Sequence, residues 1–394
     1  MKVLVIPSWH PTSDRPIWCN WVLPHIAALR EQGMDVFVLQ VDIDSGEPPR
    51  GLGSDSCFAT KDYIYQWVSV NREPCRRNRF QFGTTLQTYS EKLSELYETV
   101  VFSWGAPDII HAHVSIPAGY GAAKLSKHFG VPVVVSEHYS GLESDTRYWW
   151  RIGKYYREMA SDISGLYAVS PGYAKRIREK GFKVNGVLPN PIDTDLFRPR
   201  LPKESTKKIR IITVGNIGRS KGTDVLFAAL ELLTDRLDWH LLLIGGVQDQ
   251  DVYKRWMDNP KFARRVTHPG KMDQEILARH YSESDLYVVS SRLETANVSM
   301  LQALSCGIPV VVTQCGAPET LIDDSVGMAV PVNDAEAMAD AIYTMAMRIT
   351  EYDPLALRAY VEERFSKRAV GVQVRNEYES ILKERALNAR AGTF

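Results

Sequence analysis

The segment Ser290–Thr313, SSRLETANVSMLQALSCGIPVVVT, decides the fold class of this chain. An apolar run, LYVVSS, leads into a polar turn that holds one acid, Glu294. Asn297 then opens a short segment with apolar residues at helical spacing, Gly307 closes it, and a second apolar run, PVVVT, follows. The order strand, loop, helix and strand predicts a βαβ unit. Its helix start suits a phosphate and its acid suits hydroxyls, which favours a sugar phosphate or a sugar nucleotide as ligand.

The composition is that of an ordinary globular protein that is long enough for two domains. The chain has 394 residues, of which 44% are hydrophobic and 24% charged. Its formal net charge is zero, so no bulk field favours nucleic acid or an acidic polymer as a partner. The five cysteines are widely spaced and form no C-x-x-C pair, which is typical of reduced thiols in the cytosol.

The N-terminal sequence MKVLVIPSWHP predicts a buried first strand, because its apolar part is too short for a signal peptide. No apolar run approaches the roughly 20 residues that span a bilayer. We therefore expect a cytoplasmic protein, with a peripheral contact at the inner face of the plasma membrane left open.

Buried strands alternate with amphipathic helices along both halves of the chain, which predicts two doubly wound parallel sheets. The first half occupies residues 1–190, with a basic, irregular stretch expected at Arg72–Gly83. Residues 191–207 hold prolines and a polar, charged tail, and they are the predicted linker. The alternation restarts at residue 208. Two such domains bind ligands at the carboxyl ends of their strands.

The second half opens with VGNIGRSKGTDVL, in which a strand, a glycine-rich loop and a helix follow one another. Glycines allow a ligand to approach the backbone, and the cations Arg219 and Lys221 neutralise phosphate oxygens. A solvated basic turn explains the same residues. The segment contains neither G-x-G-x-x-G nor a Walker sequence, which argues against a dinucleotide or ATP fingerprint.

Histidines follow two neighbouring strands of the first half. His111 and His113 end one strand, and Glu137 and His138 end the next. His-x-His on a strand places both rings on one face, as zinc sites do, but strand-end histidines also serve phosphates and sugar hydroxyls. We interpret His111 as a hydrogen-bonded structural residue and His138 as a functional one, and we expect no metal.

Together these motifs resemble the retaining glycosyltransferases of the GT-B fold, glycosyltransferase family 4. The likeness extends over essentially the whole chain, and the Ser290–Thr313 segment followed by GAPETLI is its most specific part. Bacterial enzymes of surface-polysaccharide synthesis look most similar. The resemblance implies two Rossmann-like domains facing a central cleft. An acceptor domain at 1–190 would be joined by a last helix, about 370–394, that crosses back to it. A nucleotide-sugar domain would occupy 208–369.

The resemblance also implies roles for residues of the second half. Lys221 with Arg219 would grip the donor diphosphate, together with the backbone N–H groups of Asn297 and Val298. In the family an arginine directly follows the glycine at the end of the strand. In this chain that position is Asn216, within a donor loop that also holds Gly215 and Gly218.

The family's E-x7-E motif corresponds to Glu294 and then to Gln302. Glu294 would contact the donor sugar, and Gln302 would bind the ribose without the usual charge. Gly270, Lys271 and Met272 would frame the nucleobase, and His138 would lie over the donor sugar.

The reaction that the resemblance implies is sugar transfer with retention of configuration. The donor is a nucleotide-diphosphate sugar, UDP or GDP, with no metal and no other cofactor. The acceptor hydroxyl attacks from the face that the nucleotide leaves, and the diphosphate takes the proton. Catalytic roles fall to His138, Glu294 and Lys221.

The resemblance implies that the acceptor is a glycan or a lipid-linked glycan, held by the first domain. The candidate residues lie mostly in the loop after the first strand: Trp9, His10, Asp14, Arg15 and Trp18, with His113. Arginines and aromatic residues in Arg72–Phe82 and Tyr148–Trp150 indicate either a membrane-surface patch or solvated loops.

Two other classes of function stay open at this point. One is another enzyme on the same fold, such as a nucleotide-sugar epimerase or a phosphorylase-like protein. The other is a non-catalytic paralogue that binds nucleotide or glycan. Asn216 and Gln302, which depart from the family motifs, are its only support.

Overall fold

The structure, a computed structural model, describes residues 1–9, 21–44, 57–69, 79–139, 146–200, 208–262 and 264–391. They form two compact units. The first unit comprises residues 1–169, 174–189 and 370–394, and the second comprises residues 170–173 and 190–369. Residues 201–207 of the predicted linker lie outside the described part of the chain.

The first unit is built on a sheet in the order β3-β4-β2-β1-β5-β6-β7-β8. All its neighbouring strands are parallel except β3, which pairs antiparallel with β4. The strands are β1 (Lys2–Pro7), β2 (Asp35–Asp44), β3 (Cys57–Thr60), β4 (Tyr63–Ser69), β5 (Ile109–His113), β6 (Val133–Glu137), β7 (Gly165–Ala168) and β8 (Gly186–Val187). The helices between them are α1 (Val22–Glu31), α2 (Arg79–Trp104), α3 (Tyr120–Phe129), α4 (Thr146–Asp162) and α5 (Pro171–Glu179).

The second unit has a fully parallel sheet in the order β11-β10-β9-β12-β13-β14. Its strands are β9 (Ile209–Val214), β10 (Trp239–Ile244), β11 (Val266–Gly270), β12 (Leu286–Val289), β13 (Val310–Thr313) and β14 (Gly327–Val330). Its helices are α6 (Thr223–Leu232), α7 (Gln250–Met257), α8 (Gln274–Glu283), α9 (Val298–Ser305), α10 (Ala335–Met347) and α11 (Pro354–Phe365). The predicted βαβ unit is β12-α9-β13.

The last helix, α12 (Lys367–Ala391), leaves the second unit and packs in the core of the first, as predicted. Val370, Val374 and Tyr378 follow a four-residue spacing and are buried with Leu29 and Val134. Burial of each such side chain stabilises the unit by about 1.5–3 kcal/mol.

Two parts of the first unit differ from the sequence-based expectation. Strand β3 was not predicted, because a four-residue edge strand is too short to show an alternating pattern. Helix α2 begins at Arg79, inside the stretch expected to be irregular. Its first turn holds no acidic residue, so the usual signal of a helix start is missing there.

Among the helices of the described residues, none is both long enough and apolar enough to cross a membrane.

Candidate active site

The loops that follow β9 and β12 meet at one point, because these two strands are neighbours in the sheet of the second unit. The contact between them is close: a Cβ atom on Gly222 would lie 1.8 Å from the carbonyl oxygen of Ser290. The Ser290 hydroxyl donates to the carbonyl of Lys221 at 2.8 Å. A small polar pocket opens beside this contact, with Gly215, Asn216, Lys221, Thr223, Ser290 and Asn297 in its wall.

Glu294 and Lys221 form an ion pair in this pocket region, with Nζ and Oε1 2.7 Å apart. Oε1 also accepts from the Ser291 hydroxyl at 2.7 Å and from Nδ2 of Asn297 at 3.1 Å. Glu294 is buried, whereas Lys221 remains half-exposed. Three donors on one oxygen hold the carboxylate in a fixed position.

Asn297 connects the carboxylate to the start of α9. Its backbone has φ of 74°, a left-handed conformation that asparagine tolerates better than most residues. Its side-chain oxygen caps the helix by accepting from the Met300 N–H at 2.9 Å. The N–H groups of the first helical turn, where Val298 lies, have no acceptor within the helix itself, so this end suits an anion.

The guanidinium of Arg292, which the sequence analysis did not identify, connects the two loops through hydrogen bonds. Arg292 donates to both carboxylate oxygens of Asp224, at 2.7 and 2.8 Å, and also to the carbonyl of Arg219. Its backbone N–H donates to the carbonyl of Ser220 at 3.1 Å. Partial burial acts to raise the pKa of Asp224, but the hydrogen bonds and charge of Arg292 outweigh it and lower that pKa. No sequence signal marked this pair, since its members are 68 positions apart.

Arg219 lies on the outside of the same loop. Its side chain is 79% exposed, and its Nε lies 3.7 Å from an oxygen of Asp249. An exposed, weakly held guanidinium is able to turn toward a phosphate.

The backbone around the predicted donor loop is tightly packed. A Cβ on Gly245, at the end of β10, would lie 1.9 Å from the Gly215 carbonyl oxygen. Gly218 is buried and its N–H donates to the Thr223 hydroxyl at 3.3 Å. Asn216 lines the pocket.

The predicted nucleoside segment lies next to Asn216. Gly270 ends β11, and its carbonyl accepts from the Gly245 N–H at 3.0 Å. The side chains of Lys271 and Asn216 both lie close above Gly246. Lys271 is exposed and Met272 half-buried. These residues therefore border the same edge of the sheet as the pocket.

Gln302 lies on α9, more than one turn after the helix start, and its exposed fraction is 7%. Its amide is able to donate as well as accept hydrogen bonds at this depth.

In the first unit, His113 ends β5, His138 directly follows β6, and their rings meet. Nδ1 of His113 lies 3.0 Å from Nε2 of His138. The ring of Trp21 stacks on His138 at a centroid distance of 4.0 Å. His25, on α1, adds a third imidazole, 4.8 Å from His113 between centroids.

His111 is a structural residue, as predicted. It is buried, its Nε2 lies 2.9 Å from the Ser136 hydroxyl, and its Nδ1 lies 2.5 Å from the hydroxyl of Tyr378 on α12. Burial, with a smaller effect of His25, lowers the pKa of His111 to about 3, so its ring is neutral. Its ring stacks on His113 at 4.2 Å, as expected for two side chains on one face of a strand.

The Glu137 carboxylate accepts hydrogen bonds from the backbone near His138. Its two oxygens accept from the N–H groups of Ser115 at 2.9 Å and Tyr139 at 2.8 Å. Burial raises the pKa of Glu137, and these hydrogen bonds partly oppose the increase.

Of the predicted acceptor residues in the first loop, the structure describes Trp9, whose ring lies edge-on to Tyr139 at 5.5 Å. The others in that loop lie outside the described residues: His10, Asp14, Arg15 and Trp18. The same holds for residues 72–78 of the basic stretch.

Two family models match this chain. Residues 22–196 match Glycosyltransferase Family 4, and residues 208–347 match Glycosyl transferases group 1.

Relatives align with nearly the whole chain at modest identity. A Bacillus subtilis protein, TuaC, named as a teichuronic acid biosynthesis glycosyltransferase, is 24% identical over 87% of this chain and 88% of its own. A GDP-mannose-dependent alpha-mannosyltransferase of Mycolicibacterium smegmatis is 24% identical over 94% of this chain and 95% of its own.

Solved structures share the fold. Sucrose-phosphate synthase from Thermosynechococcus elongatus superposes with a TM-score of 0.73 at 21% identity, covering 98% of this chain and all of its own. Anabaena HepE in complex with UDP and glucose superposes with a TM-score of 0.68 at 16% identity, covering 96% of this chain and all of its own. The chain is a glycosyltransferase of the family 4 type with the GT-B fold.

Proposed function

We propose that the protein moves a sugar from a nucleotide-diphosphate sugar to a hydroxyl of a glycan or lipid-linked glycan, with retention and without a metal. The observation that carries the proposal is the Lys221–Glu294 ion pair beside the start of α9. Lys221 and Asn297 line one pocket, and the Glu294 carboxylate is bonded to both, so a cation, a fixed carboxylate and a helix N-terminus lie together, which is the set that a sugar diphosphate needs.

The diphosphate of the donor would bind at the helix start, near Asn297 and Val298. Lys221 would turn from Glu294 to the phosphate oxygens, and Arg219 would join it, since its side chain is exposed and weakly held. These charges would stabilise the leaving diphosphate as the bond to the sugar breaks. Gln302, Gly270, Lys271 and Met272 would hold the nucleoside.

Glu294 would orient the donor sugar by accepting from its hydroxyls. Its Oε1 already accepts from three donors, which reduces its strength as a nucleophile. This supports a same-face substitution, in which the leaving diphosphate accepts the proton of the acceptor hydroxyl, over a double displacement. His138 would lie over the donor sugar, a placement that stays a prediction.

The names of the relatives support a role in polysaccharide or glycolipid synthesis. TuaC is named for teichuronic acid, and other relatives are named for phosphatidylinositol mannosides and for inositol phosphate. UDP and GDP are the first donors to test, because HepE was solved with UDP and one relative is named for GDP-mannose. We propose a cytoplasmic location with a peripheral contact at the membrane for a lipid-linked acceptor.

The test is to incubate the full chain, in the presence of EDTA, with UDP-, GDP-, ADP- and dTDP-sugars and to measure nucleotide release and the anomeric configuration of the product. Lys221→Ala and Glu294→Ala should each lower turnover by about 100-fold or more, because each removes a charge that acts on the transition state. Lys254→Ala, which removes an exposed cation of α7, should leave it unchanged.

Turnover at the wild-type rate in both site variants would contradict the proposed site. Strict dependence on a divalent cation would contradict the metal-independent reaction, and an inverted product would contradict retention.

A further inference from the structure

Three histidines from three different elements meet inside the first unit. His25 comes from α1, His113 ends β5, and His138 follows β6; we refer to them as the trihistidine cluster. Each offers a ring nitrogen within 4.8 Å of those of the other two. His25 and His113 are buried, and His138 is partly exposed.

The surrounding fold restrains these rings. β5 and β6 are paired in register, with His113 opposite Ser136, so the strand ends carry His113 and His138 to the same edge of the sheet. Trp21 stacks on His138 at 4.0 Å, and His111 stacks on His113 at 4.2 Å. Rings that are held in this way lose little side-chain freedom when they bind a ligand together.

The chemistry of the cluster suits a transition metal. Three imidazoles from three elements offer ring nitrogens within 4.8 Å of one another, and imidazole is a common ligand of Zn²⁺ and Co²⁺. Nδ1 of His113 faces Nε2 of His138 at 3.0 Å and is the nitrogen of His113 that is placed to bind a shared ion.

We propose that the trihistidine cluster binds one divalent transition-metal ion of the Zn²⁺ or Co²⁺ class, and that binding withdraws His138 from sugar transfer. The metal would be an inhibitor and not a cofactor. The inhibitory part depends on the proposed function, whereas the binding part does not.

The geometry requires the rings to move closer together, because the ligand nitrogens are up to 4.8 Å apart. Imidazole ligands lie about 2.0–2.1 Å from Zn²⁺, which places ligand nitrogens roughly 3.4 Å apart in a tetrahedron. The His113–His138 pair, at 3.0 Å, is near that spacing, and its hydrogen bond would be replaced by two coordination bonds. Because both carboxylate oxygens of Glu137 accept backbone hydrogen bonds, the fourth position would fall to water or an exogenous anion.

The test uses Co²⁺ as the probe, because tetrahedral nitrogen coordination gives it visible ligand-field absorption. The full chain, stripped with EDTA and dialysed, is titrated with CoCl2 as wild type and as His25→Ala. The wild type should bind one equivalent with a tetrahedral spectrum. The variant should bind more than about 100-fold more weakly, since loss of an outer-shell partner alone costs about 10–100-fold.

His128→Ala is the matched control, because His128 is exposed on α3 and is not a member of the cluster. It should bind Co²⁺ as the wild type does. If His25→Ala does not fold, His25→Gln retains a similar side-chain volume while replacing the imidazole with a poor ligand. A wild type that binds no Co²⁺, or equal binding by wild type and the His25 variant, would overturn the proposal.

The inhibitory part is tested on sugar transfer by metal-free protein. Added Zn²⁺ should lower the rate of the wild type and of His128→Ala, and His25→Ala should be resistant. Stimulation by Zn²⁺, or equal inhibition of all three proteins, would refute inhibition through this site. If no donor supports transfer, the proposed function fails while the Co²⁺ titration still decides the binding site.

Discussion

Replacement of Gly222 by alanine should disturb the geometry of the candidate active site, because the added Cβ atom has no room. Gly222 has φ of 60°, and its added Cβ would lie 1.8 Å from the Ser290 carbonyl oxygen, where contact requires roughly 3.5 Å. The carbonyl belongs to the backbone, so the loops after β9 and β12 must separate by more than about 1 Å. The separation would move Lys221 from Glu294, now 2.7 Å away. A misplacement of this size lowers transfer by about 100-fold.

The assay is initial-rate sugar transfer, with circular dichroism to show that the variant is folded. Gly130→Ala is the control, because Gly130 also has a left-handed backbone, with φ of 72°, but among the described residues beyond its chain neighbours no atom lies within 4 Å of its added Cβ. It should cost about 1 kcal/mol of stability and leave transfer unchanged. Wild-type transfer by Gly222→Ala, or an equal loss of transfer in Gly130→Ala, would show that the contact with Ser290 does not position the site.

Three further changes test single contacts. Tyr378→Phe removes the hydroxyl that meets His111 at 2.5 Å, and we expect the free energy of unfolding to fall by about 1–2 kcal/mol in urea denaturation, with donor affinity unchanged. Asp224→Asn should destabilise the chain near neutral pH because it weakens the pair with Arg292. Since the folded-state pKa of Asp224 is lowered, the stability difference should be full above the ordinary pKa of about 3.9 and should disappear as the pH falls through the lowered one. Gln302→Glu should tighten nucleotide binding about fivefold in calorimetry if the residue contacts the ribose, and unchanged affinity would contradict that contact.

Much of the fold could be predicted because the local pattern of apolar and polar residues indicates which strands and helices form and how they assemble into sheets. Apolar runs bounded by amphipathic segments determine parallel sheets, and parallel sheets bring their strand ends to one edge. Glu294 and Lys221, 73 positions apart, could therefore be assigned to one site before their ion pair was seen. The same reasoning located His113 and His138 at one edge of the first sheet.

The parts that could not be predicted are those that depend on side-chain geometry. Arg292 and Asp224 are ordinary charged residues in the sequence, and only the folded loops show that they form a bidentate pair. His25 lies in an amphipathic helix among apolar residues, so its meeting with His113 has no local signal. Trp21 packs against the core of the first unit, and only the folded structure shows that its ring also stacks on His138.

The ion pair at the centre of the site has a further consequence for how a donor would bind. Lys221 has one strong partner in the described structure, Glu294, and that carboxylate oxygen has two other donors, Ser291 and Asn297. A diphosphate that attracts Lys221 therefore removes one donor from Glu294 while the other two keep the carboxylate in place. Under the proposed function, the arrival of phosphate would free an acceptor for the sugar at the moment when the sugar arrives. Free nucleotide diphosphate would then bind without this second interaction, so Glu294→Ala should weaken the binding of the intact donor more than that of the free nucleotide diphosphate.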